Sequence, residues 1–422
     1  MSRKECSLHD RPLPLAGFNL DIGTGMACNH LTQGSPSGRG KMEFVGRRPF
    51  AVGPGKVLVR TQNWIGDVVL ATASLRCIRQ SFRQATISVV AKPWVIPVLA
   101  HNPHIDEIIA YDEAGTHKGW AGILRLSGYL RSRRFQAAIL LQRAFEAALI
   151  AFLARIPVRM GYTTDGRGFL LTHRARAAKA EFDIPRLEHD LRLLEGFGLK
   201  VDRKELLLPV GREQKGRAEE RLRDLGIQTG EPVVGFSPGA VGSLLKRWYP
   251  ERFAALAVRI RDAYQAQVLL FGASSEKELG DEICRRASVP GVVNLAGQTS
   301  LEDAIALIGF CGLFVTNDSG LMHVAAALDV PLVAIFGPTD PARTAPWSKR
   351  HVLVRDEGVD CYGCKMRECR HEHKCMNVIT VERAFEGVGS AVARYGIDST
   401  GSRMEQLTVT DRTVPIANAG RR

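Results

Sequence analysis

A loop after one apolar segment carries residues suited to binding an anion. The apolar run Leu313 to Thr316 is short enough for a buried strand, and Asn317 to Gly320 supplies turn and helix-capping residues. Leu321 to Leu328 then has helical spacing. Because a helix N-terminus offers unpaired N–H groups and partial positive charge, a phosphate suits this loop. The alternative is that Asp318 and Ser319 only cap the helix.

Two further side chains could take part in chemistry, and each has a structural alternative. Asp67, in Ile65-Gly66-Asp67, is a carboxylate at an earlier strand-to-helix turn, where it could act as a base or merely cap the helix. His323 lies in the first helical turns among apolar residues, so it could bind a ligand or be a satisfied, partly buried histidine.

The elements that must position these residues alternate between strand and helix. Apolar strands are predicted at Lys56–Arg60, Ala85–Ala91, Ile108–Tyr111 and Ala137–Leu141, and the layout restarts with Glu231–Phe236, Gln267–Phe271, Val292–Leu295 and Leu313–Thr316. This order predicts an α/β protein with two open, doubly wound domains that face one another across a cleft. A last helix is predicted at Val381–Tyr395.

Composition shifts divide the chain into four parts. Residues 1–54, rich in Gly, Ser, Pro and Arg, are predicted to be disordered or poorly ordered. Residues 55–228 form the first α/β domain and residues 229–395 the second, which contains a cysteine-rich insert at 361–375. Residues 396–422 are predicted to be a loose tail.

The net charge of +13 favours anionic partners. Basic residues are spread along the chain without interleaved aromatic stacking motifs, which argues against a nucleic-acid-binding module. Neither first turn reads GxGxxG, which disfavours a nicotinamide dehydrogenase. The sequence has no apolar run of membrane-spanning length and no signal peptide, so we expect a cytoplasmic protein.

Four late cysteines need their own explanation. Cys361, Cys364, Cys369 and Cys375 lie close together with two histidines interleaved. Four soft ligands could close a structural tetrahedral zinc site, yet the spacing is not that of a standard finger. Reduced thiols and disulfides remain alternatives, and metal analysis of protein purified without chelator distinguishes them.

Motifs in a fixed order along residues 56–394 resemble those of glycosyltransferase family 9, the ADP-heptose:lipopolysaccharide heptosyltransferases, and most of all the heptosyltransferase II type. The motifs are IGD, SPGAVGSLLKRWYPERF, FGASSEKE, NLAGQTSLEDAIALI, TNDSGLMHVAAAL and FGPTDPARTAP. The resemblance implies a GT-B fold of two Rossmann-like domains, with the acceptor bound mainly by the first domain and the nucleotide sugar by the second. It also implies that the last helix crosses back onto the first domain.

The resemblance also implies roles for individual residues. Asp67 matches the general base, and Lys246 matches a lysine on the donor diphosphate. The remaining matches form the donor-binding set: Ser237, Gly239, Ser243, Glu276, Thr299, Asp318, Ser319, Gly320 and His323. Lys246 could instead be a solvated loop lysine, and Glu276 a carboxylate favoured by a helix dipole. Where the heptosyltransferase I type has threonines, this chain has Val241 and Gly242, so phosphate contacts there would come from Ser243 or backbone N–H groups.

The function that the resemblance implies is inverting transfer of heptose from ADP-heptose onto the inner-core heptose of a lipid-A-linked lipopolysaccharide acceptor. Transfer to a different acceptor and a nucleotide-sugar epimerase are the alternatives. Catalysis would require no cofactor, and nucleic acid is not expected as a partner. The acceptor is an anionic glycolipid of the inner membrane, so peripheral attachment to the cytoplasmic face of that membrane is expected.

Overall fold

The computed structural model describes residues 42–46, 53–178, 183–361, 364 and 368–419. Most of the predicted extension at 1–54 lies outside the described residues. Within it, Glu43–Val45 forms a short strand that the sequence did not predict. Residues 40–422 make up one compact unit, to which all of the following applies.

An eight-stranded sheet organises the first half of the chain. Its strands are β1 (Glu43–Val45), β2 (Lys56–Arg60), β3 (Thr86–Ala91), β4 (Glu107–Ala110), β5 (Ala137–Leu140), β6 (Val158–Tyr162), β7 (His173–Arg176) and β16 (Ile416–Asn418). Their order is β1-β7-β6-β5-β2-β3-β4-β16, and all neighbours are parallel except β1 and β7. The inner strands are buried on both faces, so they are nearly continuous apolar runs such as Val57-Leu58-Val59.

A six-stranded, fully parallel sheet organises the second half. Its strands are β9 (Val233–Ser237), β10 (Gln267–Leu270), β11 (Val292–Asn294), β12 (Leu313–Asn317), β13 (Leu332–Ile335) and β14 (His351–Val354). Their order is β11-β10-β9-β12-β13-β14. A third, two-stranded sheet joins β8 (Val210–Gly211) to β15 (Val409–Thr410).

Helices cover both faces of the two large sheets. They are α1 (Ile65–Ser81), α2 (Ile96–Leu99), α3 (Gly119–Ser132), α4 (Phe145–Leu153), α5 (Arg186–Gly196), α6 (Arg212–Asp224), α7 (Pro250–Tyr264), α8 (Lys277–Ala287), α9 (Leu301–Phe310), α10 (Gly320–Ala327), α11 (Pro341–Thr344), α12 (Lys374–Asn377), α13 (Val381–Tyr395) and α14 (Thr400–Gln406). One continuous core packs α1, α2 and α5 together with α9 and α10. Separate cores lie beneath α3 and α4 and beneath α7, α8 and α13. The predicted α/β architecture, two Rossmann-like doubly wound sheets as in a GT-B fold, is confirmed.

Strand order locates where a ligand can bind. In each half, six strands run in the order 3-2-1-4-5-6 of a Rossmann fold, so the connections reverse direction between the first and fourth of them. These switch points lie between β2 and β5 in the first sheet and between β9 and β12 in the second. A crevice opens at the carboxyl ends of strands at such a point. Asp67 follows β2, and the loops carrying Lys246 and Asp318 follow β9 and β12, so the predicted residues lie at both crevices.

The prediction of a loose tail is wrong for its described residues, 396–419. This segment forms α14, pairs β15 with β8, and ends by adding β16 to the first sheet beside β4. Leu407 and Val414 are buried, and Arg403, only 2% exposed, donates from Nη2 to Leu328 O over 2.9 Å. In this segment single buried side chains lie between polar ones, so the apolar residues do not recur every 2 residues, as in a strand, or every 3.6, as in a helix. The sequence pattern therefore did not indicate these elements.

The last predicted helix has the expected bounds but a different position. Helix α13, Val381–Tyr395, packs on β13, β14 and α7 of the second half. The return to the first half is made by the tail instead. None of the helices in the described part of the chain combines the length and apolar character that a membrane span needs.

The tail should contribute measurably to stability. We expect Leu407→Ala to lower the free energy of unfolding by about 2–4 kcal/mol, since it removes a buried side chain packed on Gly309 of α9. Urea denaturation measures the change. Thr408→Ala is the matched control, because Thr408 is exposed and offers only its carbonyl to β8. Equal stability of the two variants would contradict an anchoring role for the tail.

Candidate active site

The N-termini of α1 and α10 meet with almost no space between them. A methyl group built at Gly66 would come within 2.7 Å of His323 Cδ2, and one at Gly320 within 3.4 Å of Gly66 N. A side chain at Gly66 would force the His323 ring to shift, whereas one at Gly320 would meet a tight contact that a displacement of a few tenths of an ångström relieves. This contact joins the two switch points, because α1 follows β2 and α10 follows β12.

Asp67 lies in the first turn of α1 and does not cap the helix. The helix begins at Ile65, its N-cap is Trp64, and Asp67 is half-buried. No hydrogen bond from the described residues reaches its carboxylate, which leaves the oxygens open to a ligand. Asp67 is close enough to His323 to act electrostatically on it, so the structure brings together the two residues singled out from opposite halves.

His323 is buried beside three charged groups. Burial lowers its pKa, while Asp318 and Asp67 raise it and Lys246 lowers it further, so the imidazole is neutral near pH 7. Its Nδ1 has no hydrogen-bond partner among the described residues. His323 is therefore not a fully satisfied core histidine, because one buried polar ring atom has no partner among the described residues.

Lys246 is not a freely solvated lysine. Its Nζ donates to Asp318 Oδ2 over 2.7 Å, and the Asp318 side chain is only 7% exposed. Thr344 Oγ1 donates to the same carboxylate oxygen over 3.3 Å. The lysine side chain itself remains 27% exposed, so it is oriented by Asp318 without being buried.

Asn317 fixes the loop that carries Lys246. Its Nδ2 donates to Pro238 O over 2.6 Å, and its Oδ1 accepts from Trp248 N over 3.2 Å, so one side chain ties both ends of the loop to β12. Beside it, Ser319 Oγ lies 3.3 Å from Ser237 Oγ and 3.1 Å from Thr316 Oγ1. Ser319 thus bonds across the switch point and does not cap α10.

Glu276 is engaged by the next residue of that loop. Its Oε1 accepts from Arg247 Nη2 over 3.0 Å, its Oε2 accepts from Ala273 N over 3.1 Å, and the side chain is buried. A methyl group at Gly239 would lie 2.0 Å from Glu276 Oε1, so the glycine makes room for this carboxylate. The Arg247–Glu276 pair was missed by sequence reasoning, which weighed Glu276 as a ligand or dipole carboxylate.

The cysteine-rich segment braces the same loop. His373 Nε2 donates to Leu245 O over 2.6 Å, and the His373 backbone N donates to Cys369 Sγ over 3.2 Å. Residues 245, 246 and 247 are therefore held by three different segments of the chain. The only signal in the sequence was the density of histidines near the cysteines.

Metal ligation at the cysteines finds no support in the geometry. Among the described residues, which include all four cysteines, no three Cys, His, Asp or Glu side chains are grouped closely enough to hold a metal ion. The four are free thiols, and burial, followed by the nearness of the other three sulfurs, raises the pKa of Cys375 to about 11. The zinc site therefore stays a hypothesis from the sequence, and no chemistry is derived through it.

Two other predicted donor residues lie apart from these contacts. Ser243 precedes the 3-10 turn Leu244–Lys246 and accepts from Lys246 N through its backbone carbonyl. Thr299 follows β11, the outermost strand, and lines a depression with Arg217, Arg221, Gln298 and Asp303. The structure does not bring either hydroxyl into contact with Lys246 or Asp318.

The first half adds a polar group around Asp67 that sequence reasoning missed. Asp190 on α5 is 2% exposed and accepts from Gln62 Nε2 over 2.6 Å. Burial raises the pKa of Asp190 to about 6; Arg186 and Gln62 oppose the rise, and Asp67 adds to it. Burial and the nearby Arg186 lower the pKa of Arg143, while Asp190 and Asp67 oppose this shift. Nothing in the spacing of these residues indicates that they converge.

Comparison with known proteins places these features in a family. The family model described as "Glycosyltransferase family 9 (heptosyltransferase)" matches residues 123–375. The lipopolysaccharide heptosyltransferase 2 of Salmonella typhimurium is 34% identical over 359 residues, which are 81% of this chain and 100% of that protein.

Solved structures agree with the observed fold. The structure of Escherichia coli ADP-heptose lps heptosyltransferase II is 31% identical, with a TM-score of 0.68 over 80% of this chain and 99% of the other. The glycosyl transferase family 9 protein from Veillonella parvula is 22% identical, with a TM-score of 0.73 over 82% of this chain and 100% of the other. At that identity the second likeness concerns the fold alone.

The contact between α1 and α10 yields a direct prediction. We expect Gly66→Ala to lower the free energy of unfolding by about 1–3 kcal/mol, because the methyl group must displace the His323 ring or separate the helices. Thermal and urea denaturation measure the effect. Gly216→Ala in α6 is the control: a methyl group there meets nothing within 4 Å, and alanine favours a helix. Unchanged stability of Gly66→Ala would mean that the helices are not in contact.

Proposed function

The chain belongs to glycosyltransferase family 9, the heptosyltransferases, and on that premise we propose that it transfers heptose from ADP-heptose to an inner-core heptose of a lipid-A-linked lipopolysaccharide acceptor. The observation that carries the proposal is the meeting of Asp67 with His323, Asp318 and Lys246 across the two switch points. A carboxylate and a cation on opposite lobes suit a reaction in which a base and a leaving diphosphate flank one sugar.

Asp67 is proposed as the general base. The acceptor hydroxyl oxygen forms a bond to the anomeric carbon of heptose while the bond from that carbon to the β-phosphate oxygen breaks. The hydroxyl proton passes to the Asp67 carboxylate, and the bonding electron pair leaves with ADP, which inverts the anomeric centre. An open, half-buried carboxylate supports this role.

Lys246 is proposed to stabilise the departing ADP. Negative charge grows on the β-phosphate as the bond breaks, and a pre-oriented ammonium group lowers the energy of that state without reorganising. Asp318 supplies the orientation. The N-terminus of α10 adds free N–H groups at Ser319 and Gly320, which suit phosphate oxygens.

The remaining donor contacts follow the same logic. His323 remains a proposed donor contact; its Nδ1 is buried and has no partner among the described residues. Glu276 is proposed to act by orienting Arg247 of the same loop as Lys246. Ser237, Gly239, Ser243 and Thr299 remain proposed donor contacts. A nucleotide-sugar donor and a lipid-linked acceptor suggest a cytoplasmic protein attached peripherally to the inner membrane.

The base role has a clear test. We expect Asp67→Asn to lower the rate of heptose transfer about 10²–10⁴-fold, because the amide cannot take the hydroxyl proton. Calorimetry should find ADP affinity nearly unchanged. Asp202→Asn is a control, since this exposed carboxylate lies near Cys77 toward the far end of the same helix. Transfer by Asp67→Asn at the wild-type rate would remove Asp67 as the base.

The lysine can be tested by binding alone. We expect Lys246→Ala to weaken ADP about tenfold or more, because a charge-assisted contact is lost and Asp318 is left without its ion-pair partner. Isothermal calorimetry gives the affinity. Lys277→Ala removes the same charge from the exposed start of α8 and should leave ADP binding as it was. Equal ADP affinities for the two variants would contradict phosphate binding by Lys246.

A further inference from the structure

Helix α3 leaves two large apolar side chains in solvent. Trp120 is 70% exposed and Leu124, one turn later, is 58% exposed. The opposite face of the helix is fully used, because Leu126 and Leu130 are buried against the core shared with α4. Folding therefore does not require Trp120 and Leu124 to be apolar. A tryptophan and a leucine on one exposed helix face are characteristic of a surface that meets an apolar or interfacial environment.

The charge around these side chains has one sign. Residues 118–134 contain five basic residues and no acidic residue. Arg125 donates to Thr116 O, and Arg133 is paired with Glu107. Within the described part of the chain, the exposed Arg131 and Arg134 side chains have no hydrogen-bond or ion-pair partner.

Acidic residues before the helix do not neutralise this face. Asp112 accepts from the backbone N–H groups of Gly115 and Thr116, and Glu113 is paired with the buried Lys92. The exposed face of α3 therefore combines apolar side chains with uncompensated positive charge, which is the composition that an anionic lipid surface attracts.

The position of α3 connects this face to the active site. The helix starts after the carboxyl end of β4, and Asp67 follows the carboxyl end of β2 in the same sheet. One strand lies between β2 and β4, so these two strands are about 10 Å apart at the usual spacing. Between them at this edge are two more exposed tryptophans, Trp64 and Trp94. A surface resting on Trp120 would therefore hold a short sugar chain near the proposed base.

We propose that the exposed face of α3 with Trp120, Leu124 and Arg131, together with Arg134 just after the helix, docks the protein onto an anionic phospholipid surface. The proposal rests on the proposed function for its biological meaning, since a lipid-anchored acceptor must be reached at a membrane. Trp120 and Leu124 enter the headgroup region, and the two arginines bind lipid phosphates. The residues act by positioning the protein and touch no reacting atom.

Vesicle sedimentation tests the docking without any turnover. The full chain should partition onto vesicles of phosphatidylethanolamine and phosphatidylglycerol, and far less onto phosphatidylcholine alone. Trp120→Ser with Leu124→Ser should lower the partition coefficient about tenfold or more. Arg131→Ser with Arg134→Asn should lower it about fivefold per arginine, with the loss disappearing at high salt. Asparagine replaces Arg134 because this residue has a φ of 56°, and asparagine adopts such left-handed backbone conformations more readily than most residues.

Matched controls separate docking from folding and from catalysis. Ile416→Ser alters another exposed apolar side chain, which lies on β16. The next residue, Ala417, packs against the core beneath α3. Because side chains alternate along a strand, Ile416 faces the opposite side of the sheet. Arg223→Ser removes an exposed arginine of α6. Both controls should bind vesicles like the wild type. All variants should retain wild-type transfer to a delipidated, water-soluble acceptor.

Three results would overturn the proposal. One is wild-type vesicle binding by the Trp120 and Leu124 double variant, and another is failure of the wild type to bind anionic vesicles. The third is concentration-dependent dimerisation that the double variant abolishes, which would assign the face to a second copy of the chain. Absence of transfer to the soluble acceptor by the wild type would instead count against the proposed function and leave the lipid result standing.

Discussion

The structure depends on the close approach of Gly66 and Gly320 at the N-termini of two helices. Each helix starts at the switch point of its own sheet, so their contact determines how far apart the two crevices lie. A methyl group at Gly66 would have to displace the His323 ring or separate the helices, and one at Gly320 would make a tight contact with Ile65 and Gly66. The distance between Asp67 on one lobe and the group of His323, Asp318 and Lys246 on the other follows from this contact, although neither glycine has a side chain.

The ion pairs of the second lobe serve orientation more than stability. Lys246 and Arg247 are adjacent in sequence, and each is held by a carboxylate, Asp318 or Glu276, whose side chain is 7% exposed. Desolvation offsets much of the attraction in such a pair, so its net stabilisation is small. What the pairs achieve is a loop whose two cations have defined directions before any ligand arrives. Anchoring of the intervening backbone by Asn317 and His373 has the same effect.

Local patterns in the sequence account for much of the fold and part of the site. Inner strands that are continuous apolar runs could be predicted, whereas β1, β6, β7, β14 and β16 were missed. The strand-to-helix turns indicated Asp67 and Asp318, and the family resemblance indicated Lys246. The convergence of Asp190, Gln62 and Arg186 could not be predicted, because these residues come from separate elements and share no spacing. The tail was missed because its few buried side chains, such as Leu407 and Val414, follow no period.

The tail has a consequence for motion. The chain passes from the first lobe to the second before β9 and returns to the first sheet as β16. Near these passages β8 and β15 pair in parallel, and Pro232 forms a further bridge with Ser399. A single linker would let one lobe swivel freely about the other. Two connections between the same lobes leave them fewer relative orientations than one would, so the tail limits how the crevice can open.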